Sequence, residues 1–163
     1  MSLNTEETMN LSDTFKQLRA DLEALPSSKR LTFTDTEAIY SIAYNLVAQG
    51  HYEEGLRRFA ILTLYRPTEA KYLAGLAVCN QMLGRYDFAI GNFAFAANIE
   101  PGKPEYLLNI AECEILKKDY VAARETLEAV IAFCKEKGGF DAIRERAEAM
   151  LAFVFKGVES AQC

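Results

Sequence analysis

Residues 84–101, GRYDFAIGNFAFAANIEP, decide the fold. Gly84 opens the stretch. Tyr86, Ala89, Phe93 and Ala96 then recur at helical steps of three and four, and Pro101 stops the run. Alone, this is one amphipathic helix. A step of 34 residues in either direction lands on the same chemistry. Tyr52, Tyr86 and Tyr120 share one column. Gly55, Ala89 and Ala123 share another, as do Phe59, Phe93 and Leu127, and Leu62, Ala96 and Val130. Upstream, Ala43, Ala77 and Ala111 keep the step, and Cys79 and Cys113 lie one period apart. Gly50 and Gly84 are followed by Lys118. Pro67 and Pro101 are followed by Lys135, where the pattern lapses.

This periodicity resembles the tetratricopeptide repeat, a 34-residue helix–turn–helix unit that buries its apolar face only by stacking on neighbours. The expected fold is all-α: three tandem repeats (36–69, 70–103 and 104–137) forming an α-solenoid over 36–137. An N-terminal helical segment and linker (1–35) precede them, and a C-terminal capping helix and tail (138–163) follow. The small columns let helices cross closely, and the Phe columns fill the space between repeats. Gly50 and Gly84 suit helix C-caps, which need a left-handed backbone. Lys118 lacks that freedom, so a differently shaped third turn is expected. Thr34 and Glu37 have capping-box spacing, Thr68 is a candidate cap, and Pro104 suits a first helical turn.

Outside the repeats, Leu11, Phe15, Leu18, Leu22 and Leu25 form a narrow apolar seam ended by Pro26, with PSSKRLTFTD read as linker. After Gly138-Gly139, Phe140, Ile143, Ala147, Met150, Leu151, Val154 and Phe155 mark one face of a closing helix. A frayed tail over 158–163 is expected.

The chain has 163 residues, half of them apolar, and a formal charge of −5. It is long enough to bury a core without disulfide or metal. No segment is net basic, which argues against nucleic acid and anionic membrane surfaces as partners. No apolar run is long enough to span a bilayer, and the polar start MSLNTEETMNLSDTF is unlike a secretory signal. A cytoplasmic location is expected, with Cys79, Cys113, Cys134 and Cys163 as free thiols and no metal or cofactor.

Catalytic signals are absent from the sequence reading. His51 is the single histidine and adjoins the Gly50 turn, where a solvated residue is the plainer reading than a base. There is no phosphate-binding glycine loop, and Gly91 reads as a surface glycine within a helix. Cys79 and Cys113 read as small apolar core residues, with a redox sensor as the rival. No enzymatic activity is expected.

In the 34-residue frame, the second, fifth, ninth and twelfth positions of each first helix face inward. These are Glu37, Tyr40, Tyr44 and Val47; then Lys71, Ala74, Val78 and Gln81; then Glu105, Leu108, Glu112 and Ile115. An aromatic-studded apolar trough of this kind suits an extended peptide with apolar anchors. The candidate peptide-binding residues are therefore Tyr40, Tyr44, Val47, Lys71, Ala74, Val78, Gln81, Leu108, Glu112 and Ile115.

Three stretches, IYSIAYNLVAQGHYEEGLRRF, YLAGLAVCNQMLGRYDFAIGNFAFAANIEPGKPEY and NIAECEILKKDYVAARETLEAV, resemble the class II type III secretion chaperones of Gram-negative bacteria. The resemblance covers residues 36–135. It implies a cytosolic, non-catalytic chaperone for hydrophobic pore-forming translocators, which keeps them soluble and apart before secretion. A short proline- and leucine-containing client segment would lie in the concave groove, with Tyr40 and Tyr44 at aromatic groove positions. Val47 departs from the family, where an aromatic residue is common. The resemblance also implies a homodimer through the N-terminal helical region, for which the Leu11–Leu25 seam is the candidate. A generic repeat scaffold or a needle-subunit co-chaperone is the alternative.

Overall fold

A computed structural model describes residues 31–161, together with Lys16, Gln17, Leu18, Ala20, Asp21 and Ala24 upstream. Over 31–161 the chain forms seven helices: α1 (Phe33–Ala48), α2 (Tyr52–Tyr65), α3 (Ala70–Met82), α4 (Tyr86–Ile99), α5 (Glu105–Leu116), α6 (Tyr120–Lys137) and α7 (Asp141–Ala161). Each packs chiefly on its neighbours in sequence, and α1 also touches α3 as α5 touches α7. The fold is all-α and built from tetratricopeptide repeats, with α1/α2, α3/α4 and α5/α6 as the three hairpins.

The repeat columns are the core. Ala43, Ala77 and Ala111 are fully buried, as are Ala89 and Ala123, and Phe59, Phe93 and Leu127 fill the gaps between hairpins. A Cβ on Gly55 would lie 2.8 Å from Val47 Cγ2 and 3.3 Å from Cys79 Sγ, so α2 can approach α1 and α3 only without one. Three clusters follow in order along the array. The first contains Ala43, Phe59, Leu62, Tyr72 and Cys79. The second is built around Leu73, Phe93, Ile110 and Cys113. The third joins Leu127, Val130 and Cys134 to Ala147 and Val154 of α7. An α-solenoid end would otherwise expose that face, and α7 covers it.

The turns and stops have local causes. Gly50 (φ 81°) and Gly84 (φ 72°) end α1 and α3 in the left-handed region. Their N–H groups donate to Val47 O and Gln81 O, while His51 and Arg85 donate to Leu46 O and Asn80 O at 2.8 Å. This paired pattern is the Schellman C-cap. Arg66 (φ −135°, ψ 71°) and Glu100 (φ −125°, ψ 73°) leave the helical region at the ends of α2 and α4, consistent with the bias against α conformation in the residue before a proline. With Lys135 at the third proline column, nothing stops the helix there. Accordingly α6 runs 18 residues against 14 in α2 and in α4, until Gly138 (φ 67°) ends it.

Several sequence expectations are corrected. The third turn has the same shape as the others: Lys118 takes φ 65°, with Lys118 N–H to Ile115 O and Asp119 N–H to Glu114 O, both 2.9 Å. The helices fixed on either side impose the turn on a residue that does not favour it. The capping box is Thr32–Asp35, not Thr34–Glu37: Thr32 Oγ1 accepts from Asp35 N–H, and the Asp35 carboxylate accepts from Thr32 N–H at 2.9 Å. The stretch LTFTD is therefore helix start, not linker. Glu69, not Thr68, occupies the α3 N-cap, with no side-chain capping bond. Phe155 is 48% exposed rather than on the covered face of α7, and α7 continues to Ala161 through most of the segment read as tail.

Candidate functional site

Successive first helices share one face, fixed by bridges at or near the repeat step. Lys71 Nζ on α3 donates to Glu37 Oε1 on α1 at 2.7 Å. Gln81 on α3 approaches Glu112 on α5 at 3.5 Å, and Arg146 on α7 donates to the other Glu112 oxygen. The pairs Glu37–Lys71 and Glu112–Arg146 each span one full period, so α7 supplies a fourth row to the face that α1, α3 and α5 begin.

One end of this face is aromatic. The Tyr40 ring lies 6.3 Å from Tyr44, 5.6 Å from Tyr72 and edge-on to Phe59 at 6.0 Å. The Lys71 ammonium sits 4.9 Å from the Tyr40 centroid, 5.3 Å from Tyr72 and 5.9 Å from Phe33. Aromatic faces attract such a cation, and the Glu37 carboxylate holds it in place. The fully buried Tyr72 donates its hydroxyl to the same Glu37 oxygen at 2.7 Å. The Lys71 hydrogen bond, then that of Tyr72, holds the Glu37 carboxyl below the usual carboxylate range. Burial pushes the Tyr72 phenol up to about 12.

Tyr44 is the open member of the group, 61% exposed. Tyr40 is half-buried and belongs both to the face and to the first core cluster. Val47 is half-buried against Gly55, and Ala74 and Val78 are half-buried at the edge of the second cluster. Leu108 is corrected: it is only 3% exposed, packed with Leu127, Val130 and Ala147, and is core rather than groove lining.

The opposite end is a cavity of about 520 Å³ between α5 and α7. Gln81, Glu112 and Ile115, three of the sequence candidates, line one side. Leu116, Ala149, Met150 and Phe153 line the rest, with Arg146 at the lip. The sequence reading missed the α7 residues, yet the signal was present: one further step of 34 from Glu112 and Ile115 reaches Arg146 and Ala149.

Of the candidate dimer seam, Leu18 is on helical backbone and 44% exposed. Leu11, Phe15, Leu22 and Leu25 lie outside the described residues, as does Cys163. Cys79, Cys113 and Cys134 are buried free thiols, and burial pushes the first two up to about 11. His51 is exposed at the α2 N-cap, 3.8 Å from Glu54. Among the described residues no His, Cys, Asp and Glu group could hold a metal, and no helix is long and apolar enough to cross a membrane.

Comparison with known proteins agrees with this geometry. The tetratricopeptide repeat family matches residues 40–94. Low calcium response locus protein H of Yersinia pestis is 28% identical over 115 residues, 71% of this chain and 68% of that protein. PcrH, solved in complex with the chaperone binding region of PopD, superposes with a TM-score of 0.72 at 25% identity. That match covers 78% of this chain and 96% of PcrH. The Yersinia enterocolitica type III secretion translocator chaperone SycD, in an alternative dimer, superposes with a TM-score of 0.73 at 25% identity, covering 80% and 99% of the two chains. The chain is thus similar in sequence and fold to type III secretion translocator chaperones.

Proposed function

We propose that this protein is a cytoplasmic bacterial chaperone for hydrophobic type III secretion translocators, acting by binding without a catalytic step. An extended client segment lies along the face shared by α1, α3, α5 and α7, with Tyr40, Tyr44 and Lys71 at one end and Gln81, Glu112 and Ile115 at the other. Residues 36–137 form the binding array, 138–163 cap it, and the Leu11–Leu25 seam within 1–35 makes a homodimer. The observation that carries the reading is the open aromatic end beside Tyr44, on a fold that superposes on PcrH bound to the chaperone binding region of PopD. A half-exposed ring offers large contact area at little loss of side-chain freedom. The alternative dimer of SycD and the exposed Leu18 support the dimer. A net charge of −5 lends solubility to an apolar client.

The test is co-expression with a hydrophobic translocator from the same bacterium. The translocator stays in the supernatant and co-elutes with this chain, and Tyr44→Ala returns it to the pellet. A translocator that pellets equally with and without this chain refutes the reading.

A further inference from the structure

We infer that the cavity between α5 and α7 is a second anchor pocket, taking an uncharged apolar side chain of the same client segment that stacks on Tyr44. The inference rests on the binding role proposed above and extends it to the C-terminal helix. Three observations support it. The cavity continues the inner rows: Val47, Gln81, Ile115 and Ala149 fall at steps of 34, as do Met82, Leu116 and Met150. Its walls keep apolar surface open to solvent, with Leu116 and Phe153 more than half exposed although each lies beside a packed helix. Its charges are already answered within the chain, since Arg146 donates to Glu112 and Gln81 approaches the other carboxylate oxygen. A neutral, apolar pocket leaves nothing for a charged anchor to pair with, and an apolar side chain gains by leaving water there. Met150 on the wall is flexible enough to fit branched or aromatic anchors alike.

The spacing of the two anchors follows from the fold. Tyr44 is on α1, and the cavity lies two to three first-helix rows away. At roughly 8–10 Å per row the separation is about 20–25 Å. An extended chain rises about 3.3 Å per residue, so the anchors stand about six to eight residues apart.

The test is affinity selection of random 12-residue peptides on the full chain, followed by direct binding of the selected peptides to variants. Wild type selects peptides pairing a proline or aromatic residue with an aliphatic or aromatic one about six to eight positions away. Ala149→Trp fills the cavity from an exposed position on α7. It weakens these peptides tenfold or more while leaving the melting temperature unchanged, and selection on it recovers only the first anchor. Tyr44→Ala gives the converse. Phe153→Ala, which enlarges the cavity, shifts the second anchor toward bulkier side chains. Peptides that bind Ala149→Trp as tightly as wild type overturn the second pocket while leaving the groove reading intact. Failure of wild type to select any peptide overturns both.

Discussion

Gly75 and Gly91 both lie within helices, and the same change to alanine at each has opposite expected sign. A Cβ on Gly75 would stand 2.2, 2.3 and 2.6 Å from Cε1, Cζ and Cδ1 of Phe59. Ordinary carbon contacts are about 3.5 Å or more, so the ring must retreat by roughly 1 Å. It has nowhere to go: Phe59 is 2% exposed and edge-on to Tyr40. Overpacking a tight core costs about 1–3 kcal/mol, and a rigid ring met this closely belongs at the upper end. Removing a helical glycine returns at most about 1 kcal/mol. Gly75→Ala therefore loses about 1–2 kcal/mol net, or roughly 2–8 °C in melting temperature for a chain of this size. Nothing lies within 4 Å of a Cβ on Gly91, so Gly91→Ala gains about 0.5–1 kcal/mol. Denaturant unfolding followed by far-ultraviolet circular dichroism measures both. Adding Phe59→Leu to Gly75→Ala recovers part of the loss, beyond the cost of Phe59→Leu alone. A Gly75→Ala protein as stable as wild type refutes the close approach of α2 and α3.

Other outcomes follow from single contacts. Lys118→Gly relieves a left-handed residue and raises stability by about 1 kcal/mol in the same unfolding assay. Burial raises the Glu114 carboxyl above its ordinary range, and its Oε2 has no hydrogen-bond partner. The native state then binds its proton more tightly than the unfolded chain, so this group's penalty grows as pH rises through the interval between the unfolded and the raised folded value. Glu114→Gln accordingly melts higher than wild type at pH 7, and the advantage disappears below the ordinary carboxylate range. The Glu37 carboxyl is shifted the other way, so Glu37→Gln loses stability at pH 7 and converges with wild type in acid. Leu18→Asp lowers the solution mass from dimer to monomer by light scattering. An unchanged mass removes the seam as the interface.

The repeat columns were legible because packing fixes them. Where two backbones cross, only Ala43, Ala77, Ala111 or Gly55 fit, and the requirement recurs every 34 residues. Features set by competition between neighbours were harder to read. Thr34–Glu37 has the spacing of a capping box, but Thr32–Asp35 has it too and forms both of its hydrogen bonds, so the spacing alone does not locate the start of α1. Lys118 reads as an unlikely left-handed residue, yet helices held on both sides leave its turn no other shape. Gly75 lies outside the 34-residue columns singled out in the sequence, and its role as the seat of the Phe59 ring shows only in the structure. In the candidate site, the aromatic end followed from the inward frame. Leu108 did not, because the same frame position faces a different neighbour once α7 closes the array. The cavity wall on α7 was readable only by carrying the step past the last recognisable copy.

Each of the three core clusters holds one thiol: Cys79 between the first and second hairpins, Cys113 between the second and third, and Cys134 beneath α7. Burial lifts the first two thiols to about 11, well above neutral pH, so they stay in the unreactive protonated form while closed. A thiol reagent therefore waits for a joint to open. Digesting the labelled chain and timing the three peptides would give the protein its own stopwatch at every seam, revealing which one parts first.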